Sequence, residues 1–171
     1  MTPYWEDVIT LIDATNQPKK LGLTKTGGCV MPIREHPYTG SVLMCDFTGF
    51  REPEMVKKRP VVVLSPKIAA RPGLCTVVAL RDTAPVPKLA YHCQIDIHPA
   101  LPDGFNSEGV WVKGDMIYAV GFHRLDFIRI GKSESGKRMY HFQPLSPENI
   151  KKIRECVLKG LGLSALTNHL L

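Results

Sequence analysis

Three groups of residues in this chain have types and spacing that suit chemistry on a phosphodiester. Arg59 ends the basic run Lys57-Lys58-Arg59 and stands ahead of the apolar run Pro60-Val61-Val62-Val63-Leu64. A guanidinium held at the mouth of a buried strand is a fixed cation, suited to charge that develops on phosphorus. Arg81-Asp82-Thr83 follows a second apolar run, so Arg81 adds a cation and the Thr83 hydroxyl can hydrogen-bond a phosphate oxygen or activate a ribose hydroxyl through one. In Trp111-Val112-Lys113-Gly114-Asp115 a cation and an acid alternate, so a regular strand would present both on one side, where they could move protons in opposite senses. Each group also has a plainer reading. Arg59 could pair with Glu52 or Glu54, Asp82-Thr83-Ala84-Pro85 suits an ordinary turn, and Lys113 and Asp115 could form a cross-strand ion pair.

Other chemistries are poorly served. His36, His92, His98, His141 and His169 show no ligand spacing, and His123 beside Arg124 suits phosphate contact or a structural role, so no metal site and no cofactor are expected. No P-loop or dinucleotide fingerprint occurs. The five cysteines have no CxxC spacing, which fits buried free thiols in a reducing compartment such as the cytoplasm. No apolar run reaches the ~18 residues of a membrane span. The opening MTPYWEDVIT is acidic and does not read as a secretory signal. A net charge of +6 favours anionic partners.

The elements that must position these groups are mostly short strands. They are expected near residues 41–47, 60–66, 74–80, 90–97, 109–120, 125–131 and 138–143, with Gly and Pro in most gaps and a hairpin turning on Glu134-Ser135-Gly136. A closing helix should start at Ser146-Pro147-Glu148 and bury Ile150, Ile153, Val157 and Leu161. A short amphipathic tail, Ser164–Leu171, would follow it. Residues 3–16 could form a further helix, and 1–39 as a whole reads as a helix and arm packed on a core domain of residues 40–171. Strands at this spacing argue for a small barrel or sandwich.

Taken together these segments resemble the PemK/MazF family of type II toxins, from about Gly40 to Gly162. The most specific match is the aspartate-bearing strand with Asp46, a polar loop, then Arg59-Pro60 leading an apolar strand to Ser65-Pro66. Gly73–Leu80, Lys113 two before Asp115, the pair Arg124-Leu125 and the closing helix follow in the family's order. The resemblance implies a mainly β fold with some helix, a small SH3-like β-barrel that pairs as a homodimer. It implies a metal-independent endoribonuclease acting on single-stranded RNA or mRNA. The ribose 2′-hydroxyl would attack the adjacent phosphate and leave a cyclic phosphate and a 5′-hydroxyl. It also implies a cognate antitoxin with an acidic tail. The catalytic residues would be Arg59, Thr83, Lys113 and Asp115, and the RNA-binding residues Asp46, Arg51, Lys57, Lys58, Arg81, Trp111, His123 and Arg124. Phe50 and Trp111 could stack on splayed bases.

Two departures stand out. Arg81 and Asp82 occupy the turn where the family carries a catalytic threonine, with Thr83 displaced, and Lys113 replaces an arginine found in some members. They leave room for weakened nuclease activity, and hence for a noncatalytic RNA-binding or acidic-peptide-binding module as the alternative.

Overall fold

Alternation of apolar side chains decides the architecture of the middle of the chain. The structure, a computed structural model, describes residues 33–102 and 104–170. Its strands are β1 (Val42–Cys45), β2 (Arg59–Val63), β3 (Leu74–Arg81), β4 (His92–Ile95), β5 (Val110–Gly121), β6 (Leu125–Phe127), β7 (Arg129–Lys132) and β8 (Arg138–Tyr140). Six of them form one antiparallel sheet in the order β4-β5-β3-β2-β1-β6, and β7 and β8 pair separately as a hairpin. The expected helix at 3–16, most of the arm and Cys29 lie outside the described residues.

The sheet separates two apolar cores. Val42, Val62, Val78, Leu80 and Val112 point to one side, where they meet Ile150, Ile153 and Cys156 of the helix α1 (Pro147–Gly160). Leu43, Val61, Val63, Val77 and Ala79 point to the other and pack with Phe47, Met55, Val120 and Leu125. With both faces covered, the central strands read as near-continuous apolar runs.

Helix α1 begins as its sequence dictates. Ser146 caps it by accepting a hydrogen bond from the Asn149 N–H at 3.3 Å, and Pro147 occupies the first turn, where its missing N–H costs nothing. The buried stripe is Ile150, Ile153 and Cys156; Leu161, expected on it, is 58% exposed because the helix ends at Gly160. A 3-10 turn at Ser164–His169 follows.

The closed SH3-like β-barrel implied by the resemblance is not what the chain forms. The six-stranded sheet is open, with β4 and β6 as its edges. A single 3-10 turn, Phe122–Arg124, carries the chain from β5 to β6, which has only three residues and, among the described residues, pairs with β1 alone. The expected strand 125–131 divides at Ile128. That side chain joins the helix-side core while Leu125 joins the other, and the chain beyond it pairs with β8 instead of closing the sheet.

Candidate active site

Arg59 and Arg81 stand on the same face of adjacent strands. Val61 of β2 pairs with Ala79 of β3, and Arg59 lies two residues before the one and Arg81 two after the other, where the period of two returns each side chain to that face of the antiparallel pair. Burial falls off along the way: Val61 and Ala79 are completely enclosed, whereas Arg59 and Arg81 reach solvent in part. The enclosure comes from the loop after β1. Its Phe47 and Phe50 rings pack on Tyr118, and the Met55 N–H donates to the Tyr118 hydroxyl at 3.1 Å. Among the described residues neither arginine makes a side-chain hydrogen bond or ion pair, so the expected alternative partners of Arg59, Glu52 and Glu54, are not engaged.

Arg81 faces Trp111 across the β3–β5 ladder, and Trp111 faces Gln94 across β5–β4. Lys88 lies over the Trp111 ring, 5.0 Å from its centroid. The indole is almost fully buried, so one of its faces already holds a cation.

Among the described residues Lys113 and Asp115 form no ion pair, and simple alternation does not relate them. Leu80 pairs with Val112 and Val78 with Ile117, so the four residues Lys113 to Met116 bulge opposite the single Ala79. Lys113 keeps the Trp111 face and is opposite His92 in the β4–β5 ladder. His92 Nε2 then sits 3.7 Å from Asp115 Oδ1. The imidazole is thus the neighbour that the acid and the lysine share. The Lys113 ammonium contacts the Met116 sulfur at 3.4 Å, a weak acceptor that leaves most of its charge unspent.

Gly114 shapes the bulge. A Cβ there would fall 2.5 Å from the Cys156 carbonyl oxygen of α1 and 2.8 Å from that of Tyr91. The helix end and the β4 approach therefore grip bare backbone between the two candidate side chains.

The remaining sequence candidates are distributed differently. Thr83 and Asp82 are exposed in the bend after β3, next to Arg81. Arg51 and Lys57 are exposed in the loop after β1. Asp46 accepts from the Thr48 N–H at 2.9 Å, and Lys58 lies 3.6 Å from Asp46 and 3.8 Å from Asp126. Thr48 and then Lys58 hold the Asp46 carboxyl below its ordinary range, while burial pushes Asp126 up. Arg124 donates to the Asp46 and Thr48 carbonyls at 3.0 and 2.9 Å and stacks on Phe50, 4.9 Å from the ring centroid. These contacts fasten the loop and cover one face of Phe50. His123 is exposed on the 3-10 turn, its ring folded against Gly121. Among the described residues no cluster of His, Cys, Asp or Glu could hold a metal.

Sequence reasoning missed His92 and Lys88. The run His92-Cys93-Gln94-Ile95 alternates well enough to show that His92 and Gln94 share a face. Nothing local says that β4 pairs with β5 in the register that sets His92 opposite Lys113.

The chain has relatives among known proteins. A family model described as PemK-like, MazF-like toxin of type II toxin-antitoxin system matches residues 38–159. An uncharacterized protein of Haemophilus influenzae is 30% identical over 149 residues, spanning 80% of this chain and 98% of its own. The putative uncharacterized protein YifN of Escherichia coli is 28% identical over 157 residues, spanning 81% of this chain and all of its own. Among solved structures, MazF (Form-I) of Deinococcus radiodurans aligns with a TM-score of 0.50 at 20% identity, covering 74% of this chain and 96% of that one. That last likeness is one of fold.

Proposed function

This chain belongs to the family of PemK-like, MazF-like toxins of type II toxin–antitoxin systems, and we propose that it is a metal-independent endoribonuclease acting on single-stranded RNA. One observation supports the reading: Arg59, Arg81 and Lys113 share one face of the sheet, and the Asp115 carboxylate lies 3.7 Å from His92, the cross-strand neighbour of Lys113.

The chemistry follows from those groups. Asp115 takes the proton of the ribose 2′-hydroxyl as its oxygen bonds to phosphorus. Arg59 and Arg81 balance the charge that builds on the phosphorane, and Thr83 hydrogen-bonds a non-bridging oxygen. The bond from phosphorus to the 5′-oxygen then breaks, with Lys113 supplying the proton that oxygen needs. The products are a 2′,3′-cyclic phosphate and a 5′-hydroxyl. DNA has no attacking hydroxyl and would survive. An antitoxin with an acidic segment would block the reaction by pairing with the same cations.

The test is incubation of purified protein with single-stranded RNA in the presence of a chelator. Wild type should release cyclic-phosphate ends, and Arg59→Ala should lose about 100-fold or more in rate, the scale for removing one transition-state donor. Equal cutting by both proteins removes Arg59 from the mechanism. Tight RNA binding without any cyclic-phosphate product makes the protein a noncatalytic RNA-binding module instead.

A further inference from the structure

We infer that His92 is a positioning residue for Asp115, fixed in one tautomer by the backbone so that its Nε2–H holds that carboxylate in place for the reaction. The inference rests on the nuclease reading and deepens it.

His92 is the first residue of β4, and only 5% of its side chain is exposed. Its Nδ1 accepts the Leu89 backbone N–H at 3.1 Å. An N–H can only donate, so Nδ1 must present a lone pair, and the neutral ring carries its proton on Nε2. That nitrogen is the one aimed at Asp115 Oδ1. The Tyr91 ring packs edge-on against the imidazole, with centroids 4.6 Å apart. Lys113 is its cross-strand neighbour in the β4–β5 ladder.

The separation of 3.7 Å is longer than a hydrogen bond. Such contacts often shorten when substrate arrives. Asp115 is 38% exposed and sits in a bulge, where no regular ladder fixes its side chain. A carboxylate placed that way needs an anchor on one oxygen if the other is to meet a 2′-hydroxyl reproducibly. His92 supplies the anchor from the buried side and does not itself touch RNA.

Two variants separate the two nitrogens. His92→Gln can still offer a donor near the Nε2 position, whereas His92→Asn keeps an acceptor for the Leu89 N–H and loses the reach to Asp115. In single-turnover cleavage of RNA, His92→Asn should fall by about 10- to 100-fold, the usual scale for removing an orienting partner. His92→Gln should stay within about threefold of wild type. Affinity for a 2′-deoxy analogue, which binds without reacting, should be unchanged in both. Long-range proton–nitrogen NMR of the wild type should show the Nε2–H tautomer, a measurement that stands even if neither variant folds. Wild-type rates in His92→Asn, equal losses in both variants, a loss confined to analogue binding, or an Nδ1–H tautomer would each overturn the inference. A wild type that cuts no RNA overturns the nuclease reading and this role together; a wild type that cuts while His92→Asn cuts equally well overturns this role alone.

Discussion

Gly114 and Gly160 meet backbone to backbone: a Cβ on Gly160 would lie 2.7 Å from the Gly114 carbonyl oxygen, and one on Gly114 would lie 2.5 Å from the carbonyl oxygen of Cys156. The C-terminal turn of α1 is thereby seated on the bulge that carries Lys113 and Asp115. Neither neighbour is a flexible side-chain tip, so neither can yield cheaply.

Gly114→Ala should therefore destabilise the protein by about 2 kcal/mol or more, within the upper range for forced overpacking. Urea denaturation reads the stability. Cleavage of RNA by the folded fraction should fall as well, because the bulge must shift to admit the methyl group. A variant as stable and active as wild type would mean that the helix end moves aside freely.

Arg81 and Asp82 should pull RNA affinity in opposite directions. Arg81→Ala removes a proposed phosphate partner and should lower the slope of log K against log salt by about 0.7, the value for one contact to a single strand. Asp82→Ser removes an exposed negative charge beside Arg81 and should tighten binding. Filter binding across a salt series measures both. An unchanged slope in Arg81→Ala would place the RNA elsewhere.

Arg124→Ala should loosen the loop after β1. It removes two hydrogen bonds from a charged donor to the Asp46 and Thr48 carbonyls, and the cover over Phe50. The expected cost is about 1–3 kcal/mol. Amide exchange should rise at Thr48 and Phe50 before it rises in β3. If stability holds while RNA binding collapses, Arg124 serves the ligand and not the loop.

His141 should make the fold sensitive to acid. It is buried, and its Nε2–H donates to the Pro99 carbonyl at 3.1 Å. Burial holds its pKa below the ordinary 6.5. The unfolded chain then binds the proton more readily than the folded one, so stability is present above 6.5 and declines as pH falls through that value toward the folded pKa. His141→Gln should flatten the decline in urea midpoints between about pH 7 and pH 5. An equally steep decline in the variant would assign it to other groups.

The sequence was most readable where local rules decide. The Ser146-Pro147 start of α1, the paired apolar runs around Val61 and Val77, and the hairpin through residues 134–136 all stand close to where alternation and capping place them. Arg59, Arg81 and Trp111 were legible as candidates because their strands are regular up to those residues. The rest depends on long-range register. The bulge at Lys113–Met116 lies against the end of α1 at Gly114, and no window around Gly114 reveals a helix end that comes some forty residues later. His92 stayed hidden for the same reason, since its partners at Leu89 and Asp115 are set by the β4 approach and the bulge. Closure of the sheet was overestimated because a three-residue turn and a three-residue strand look, in sequence, like a continuous rim.

The two guanidiniums at the ends of β2 and β3 have a consequence for the fold itself. Like charges on neighbouring strands oppose one another, so these side chains tax the sheet they decorate. A polyanion draped across them turns repulsion into bridging, and any ligand that prefers the folded chain raises its melting temperature. Under the proposed function, deleting either arginine in search of a hardier protein would trade thermal endurance against the hold on RNA.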